Sequence, residues 1–85
     1  MDDGLPSYLL DTDGVEIAIL LREGDDGKTR MSVRTTGPWD AAQISAHYGG
    51  GGHIRAAGCT IDTPIDQAER QVIDYALHVM TTGEY

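Results

Sequence analysis

Four consecutive glycines, Gly49 to Gly52, lead into His53 and Arg55 within the stretch YGGGGHIRAAG, residues 48–58. These residue types at this spacing suit anion binding. Backbone N–H groups of consecutive glycines can point into one concavity and form a nest for a phosphate. Gly50, Gly51 and Gly52 are the candidate backbone donors, and His53 and Arg55 stand where side-chain donors could join them. Arg34, on the polar side of an alternating run with Ser32, is a third candidate side chain. The bland alternatives are a flexible spacer, a helix cap with tight packing, an ordinary solvated Arg34, and an Arg55 paired with a nearby acid. Each glycine costs roughly 0.5–1 kcal/mol relative to alanine in regular structure, so something must require bare backbone here. The common nucleotide fingerprints do not fit. No Lys–Ser/Thr pair follows the glycines, and Arg55 stands where GxGxxG needs its third glycine.

Other reactive side chains are sparse. His47, His53 and His78 are scattered, and the aspartates concentrate in turns and caps, so no metal-ligating cluster is expected. Cys59 is the sole cysteine, which rules out an internal disulfide and points to a reducing, cytoplasmic setting. It sits among small residues and reads as a buried hydrophobe. Trp39 and Tyr48 could each stack on a base, but both also suit a core anchor at a helix end.

The elements that must position these groups follow from the apolar pattern. Residues 1–12 read as a tail or linker remnant interrupted by Gly4 and Pro6, and residues 13–85 as one small domain. Val15, Ile17 and Ile19 alternate in a first strand, residues 14–23. The turn formers GDDGK separate it from a second, residues 29–36, so the two make a β-hairpin. Asp40 caps a short helix that ends at Gly49, and AAGCTID forms a third strand. The segment from Thr63 to Gly83 is a long helix. Thr63 is its cap, Pro64 its first residue and Asp66 its capping-box acid. Its apolar stripe is Ile65, Ala68, Val72, Ala76 and Met80, widened by Ile73 and Leu77. The expected fold class is α+β, a small mixed β-sheet with helices on one face, in the order β-β-α-(Gly loop)-β-α.

Charge and hydropathy limit the function classes. With 14 Asp+Glu against 6 Lys+Arg, the net charge is −8. A chain this acidic offers no broad basic face for a duplex or a long strand, although a small phosphorylated ligand needs only a few donors. No apolar run approaches the ~20 residues that span a bilayer, and the acidic start does not read as a secretory signal.

The motif GGGGHIRAAG, preceded by a short helix and by MSVRTTG, resembles the DHH-associated domain of RecJ-like DHH phosphoesterases. In that family a Gly-Gly-Gly-His-x-x-Ala-Ala-Gly motif follows a helix, and a Ser-x-Arg-Ser strand precedes it. Here the strand motif is Ser32-Val33-Arg34-Thr35, with threonine in place of the last serine. The resemblance spans residues 14–80. It implies a phosphate- and nucleotide-binding module in which the glycine loop, His53 and Arg34 hold the substrate, with Arg55 a helper. It also implies a preceding DHH domain that carries manganese and the hydrolytic chemistry. The implied substrates are short single-stranded oligoribonucleotides or 3′-phosphoadenosine 5′-phosphate (pAp), as in the oligoribonuclease/pAp-phosphatase branch. Cyclic-dinucleotide phosphodiesterases and RecJ-like exonucleases carry similar domains. The chain contains no Asp-His-His motif, so no metal and no catalytic residue are assigned to it. A module of this kind exposes the surface that faces its partner domain, which leaves a homodimer open.

Overall fold

The computed structural model describes residues 7–85. Its elements are β1 (Ser7–Thr12), β2 (Val15–Glu23), β3 (Thr29–Thr35), α1 (Ala41–Ala46), β4 (Gly51–Gly52), β5 (Ala56–Ile61) and α2 (Ile65–Thr82). The strands form one sheet in the order β1-β2-β3-β5-β4, and every pairing is antiparallel. The fold is α+β, and the expected β-β-α-(Gly loop)-β-α order is present in it with two added strands, β1 and β4. The sheet is antiparallel throughout rather than mixed, because each neighbouring pair runs in opposite directions, including β3 with β5 across α1.

Two further differences from the sequence reading concern strands. Residues 7–12, expected to be tail, form an edge strand paired with β2 from Ser7↔Leu20 to Thr12↔Val15. Residues 1–6 of that expected tail lie outside the described residues. The hairpin closes on Asp13 (φ 54°) and Gly14 (φ 80°). Two consecutive positive φ values are what the favoured two-residue hairpin turn requires. The glycine run likewise contains a short strand, β4, instead of being loop alone.

One face of the sheet carries the core. Ile17, Ile19 and Leu21 of β2, Met31 and Val33 of β3, and Ile61 of β5 are buried against Ala41 and Ile44 of α1 and Ala68, Val72, Ala76 and Val79 of α2. Both helices therefore cover the same face. The buried stripe of α2 is narrower than the sequence suggested. Val79 takes the inward position, whereas Leu77, one residue or about 100° around the helix from Ala76, is 49% exposed. The α2 start also differs. Pro64 is itself the N-cap, no side chain caps the helix, and Asp66 accepts only from the Gln67 N–H (3.0 Å). Thr63 instead receives the buried Thr29 hydroxyl on its carbonyl oxygen (2.8 Å), which ties β3 to the β5–α2 corner. At α1 the Asp40 cap forms, its carboxylate accepting the Gln43 N–H at 3.1 Å. The Asp40 N–H donates to the Tyr85 hydroxyl (2.8 Å), bringing the end of the chain back onto this corner.

Candidate functional site

The second face of the sheet has no helix over it, and strand register determines which residues meet there. Leu9, Ala18, Arg34 and Ala56 lie in one cross-strand row, and Ser7, Leu20, Ser32, Gly58 and Gly51 in the next. His53 joins the first row. Its N–H donates to the Ala56 carbonyl (2.8 Å) and its carbonyl accepts the Ala56 N–H (3.2 Å), so the two residues face each other across a two-residue turn at Ile54 and Arg55. Arg34 and His53 thus share a face, two strand spacings or ~10 Å apart. Between and beside them stand only Ala56, Gly58 and Gly51. The result is a trough with a bare backbone floor and a cationic or titratable side chain on each side. Among the described residues the Arg34 guanidinium has neither a hydrogen-bond acceptor nor an ion-pair partner; the sole ion pair is Arg30 with Asp26 (3.1 Å).

The glycines divide into two roles. A Cβ on Gly50 would fall on the Gly58 carbonyl and within 2.8 Å of the Cys59 Cα. One on Gly52 would lie 2.6–2.9 Å from Ala57 and the Ala56 carbonyl, and Gly52 also has a φ of 148°. Both are glycine because β4 lies directly against β5. A Cβ on Gly51 would meet nothing within 4 Å, and its φ is ordinary. Nothing among the described residues requires glycine at that position; it opens onto the trough.

The expected nest of three converging amides does not form. The Gly50 N–H donates to the Ser45 carbonyl (2.9 Å) and closes the end of α1. Because His53 and Ala56 exchange both of their bonds, antiparallel alternation turns the Gly51 amide toward Gly58 and the Gly52 amide outward at the free edge. Gly52 therefore offers the one outward-facing amide of the three. Arg55 is placed differently too. Its guanidinium donates to the carbonyls of Gly37 (2.8 Å) and Trp39 (3.1 Å) and to the Thr35 hydroxyl (3.4 Å), so it straps the β3–α1 loop to the hairpin turn. It pairs with carbonyls, not with a ligand site or an acid. The same turn is fixed by Thr35, whose hydroxyl donates to the Ile54 carbonyl (2.9 Å), and by the Ala41 N–H, which donates to that same oxygen (2.8 Å).

The remaining reactive groups lie on the other side of the molecule. Tyr48 packs edge-on to His47 and Tyr75 (4.8 and 5.7 Å between ring centroids), and His47 stacks on Tyr75 at 3.8 Å. Burial pushes the Tyr48 hydroxyl up to about 12. The Cys59 thiol, also raised by burial, reaches about 11, which keeps it protonated and a poor nucleophile at neutral pH. Trp39 is half-buried against the core. Among the described residues no group of three or more His, Cys, Asp or Glu side chains could hold a metal ion. Among the described residues no helix is long and apolar enough to cross a membrane.

Comparison with known proteins places this arrangement in a family. The family model for the DHHA1 domain matches residues 3–81. The chain belongs to the DHHA1 family. It is 32% identical over 83 residues to the bifunctional oligoribonuclease and PAP phosphatase NrnA of Thermus thermophilus, covering 96% of this chain and 24% of NrnA. It is 47% identical over 36 residues to the oligoribonuclease NrnB of Bacillus subtilis, covering 41% of this chain and 9% of NrnB. The chain thus spans about a quarter of the length of NrnA. Within this DHHA1 domain, strand register brings Arg34, Gly51 and His53 to one face, and adds Ala18 and Gly58 to the Ser32 that sequence reasoning had set beside Arg34. Strand alternation on either side of Arg34 carried that information, since the register sets which small residues flank it.

Proposed function

We propose that this DHHA1 domain is the substrate-binding module of a DHH-type phosphodiesterase that acts on short oligoribonucleotides or pAp. The supporting observation is the trough: Arg34 and His53 face each other across Ala56, Gly58 and Gly51 on the uncovered sheet face. A guanidinium with no partner among the described residues favours a phosphate oxygen through a charge-assisted hydrogen bond, and a bare floor lets a sugar-phosphate lie close to the backbone. His53 and the outward Gly52 amide can donate from the opposite side. In this reading the chain contributes binding and orientation, while water activation and phosphoester cleavage belong to a companion DHH domain holding manganese. The chain alone would be inactive.

Titration of amide and arginine side-chain NMR signals with AMP and with adenosine tests this reading. Shifts at Arg34, Gly51, Gly52 and His53 with AMP and not with adenosine are expected, and Arg34→Gln should abolish them. Equal responses to adenosine, or AMP binding that survives Arg34→Gln, would overturn the phosphate assignment. A second reading, a regulatory or protein-interaction module with a purely structural glycine loop, draws support from the packing demands at Gly50 and Gly52. It predicts no nucleotide response at all.

A further inference from the structure

The trough is only half of the uncovered face. On the other side of Arg34, toward β1, an open depression of about 470 Å³ is bounded by Ser7, Leu9, Ala18, Leu20, Ser32 and Arg34. That volume falls within the ~300–1,000 Å³ typical of small-molecule sites. Its wall is unusual for a solvent-facing sheet: Leu9 is 62% exposed and Leu20 42%. Ala18 lies directly opposite both Leu9 and Arg34 in register, and Leu20 lies opposite Ser32. An apolar surface therefore begins one strand spacing, ~5 Å, from the Arg34 backbone.

We infer that this depression is a nucleobase subsite. Resting on the proposed phosphate role of Arg34, the module then binds a dinucleotide astride that residue, with one unit over the glycine floor and the next base against Leu9 and Leu20. The chemistry on the two sides of Arg34 selects such a ligand. The guanidinium calls for an anion, and the leucines and Ala18 call for a flat apolar surface tethered within a few ångströms of it. Ser32, at the boundary, supplies a hydroxyl that can donate to or accept from a ribose or a base edge. A free phosphate would leave the leucines solvated. Among the described residues Arg34 is a cation without an ion-pair partner, a local exception in a chain of net charge −8. The consequence is a preference for oligonucleotides over mononucleotides that does not depend on phosphate number.

The experiment compares pAp with the 5′-phosphorylated diadenylate pApA, using the chain with ¹³C-labelled leucine methyls. Both ligands carry two phosphates, and only pApA carries a second base. Shifts at the Leu9 and Leu20 methyls with pApA alone are expected, together with roughly tenfold tighter binding from burial of a few tens of Å² of leucine surface. The double variant Leu9→Ser/Leu20→Ser should erase that gain and leave pAp affinity as it was. Both leucines are solvent-facing, and retained pAp binding also reports that the variant folds. If pApA and pAp bind alike with silent leucine methyls while Arg34 responds to both, the subsite is refuted, the phosphate reading stands, and the leucine strip becomes a protein contact. If Arg34 responds to neither ligand, the phosphate reading fails and the subsite with it.

Discussion

Replacing Gly50, Gly51 and Gly52 by alanine, one at a time, should give effects of opposite sign at adjacent positions. At Gly51 the new methyl meets nothing within 4 Å and the backbone φ is ordinary. The dominant effect is then the loss of conformational freedom in the unfolded chain, which stabilises by ~0.4–1 kcal/mol. In a domain of this size about 1 kcal/mol moves Tm by 4–8 °C, so Gly51→Ala should raise Tm by roughly 2–8 °C. At Gly52 the methyl would press on Ala57 and the Ala56 carbonyl at 2.6–2.9 Å, with φ at 148°. Overpacking of ~1–3 kcal/mol adds to a backbone penalty of similar size, so Tm should fall by about 10 °C or more. Gly50→Ala has no φ penalty, but it places a methyl on the Gly58 carbonyl and beside Cys59. A loss of ~1–3 kcal/mol follows. Ligand binding should run the other way at Gly51. A methyl on the trough floor lifts a nucleotide by ~1 Å, and gaps of that size forfeit a quarter to a half of each contact. AMP affinity should fall roughly tenfold, about 1.4 kcal/mol. Thermal unfolding followed by circular dichroism, paired with AMP titration of the same samples, reads both quantities. A Gly51→Ala variant that melts earlier, or a Gly52→Ala variant that melts unchanged, would refute the packing argument. A more stable Gly51→Ala variant with undiminished AMP affinity would refute the trough.

Arg55→Met removes three donated hydrogen bonds to Gly37, Trp39 and Thr35. It should destabilise by ~1–3 kcal/mol and leave AMP affinity within about twofold; a stable variant with weakened binding would restore Arg55 to the ligand site. Asp40→Ala removes the α1 cap and should lower stability by ~1 kcal/mol, measured by urea unfolding, with no change in the denaturant slope. Burial raises Cys59 from 9.0 to about 11 and Tyr48 from 10.0 to about 12. The unfolded chain therefore releases protons that the fold still holds, and stability present below pH 9 is lost as pH rises from 9 toward 12. The double variant Cys59→Ala/Tyr48→Phe should flatten that alkaline decline in Tm, and an unchanged slope would discard the burial assignment. Alkylation of native Cys59 at pH 8 should be roughly 100-fold slower than in the unfolded chain; equal rates would mean that the thiol is not shielded.

The parts of this molecule that could be read from its sequence share one property: the signal lay within a few residues of the feature. Alternation in β2 and β3, the Asp40 cap and the length of α2 are local patterns, and all three appear in the fold. The strand β1 was locally legible as well. Asp13-Gly14 between two apolar runs is a strong hairpin signal, but Gly4 and Pro6 drew the tail reading past it. What could not be read is set by contacts between distant residues. Gly50 and Gly52 are glycine because β5 passes against them, and no feature of residues 48–53 alone separates that demand from a nest. Arg55 adjoins the glycine motif in sequence, yet it points back to the β3–α1 loop because hairpin register turns residues 54 and 55 away from the trough. Arg34, nineteen positions before His53, shares its face through the β3–β5 pairing, and Gly51 borders the same trough through the β4–β5 pairing. Chain adjacency therefore marked where a site could be, whereas strand register decided which neighbours belong to it. The same distinction separates the glycines experimentally. A glycine required by a strand crossing should be intolerant of alanine with or without ligand, and one kept bare for a ligand should tolerate alanine until the ligand is added.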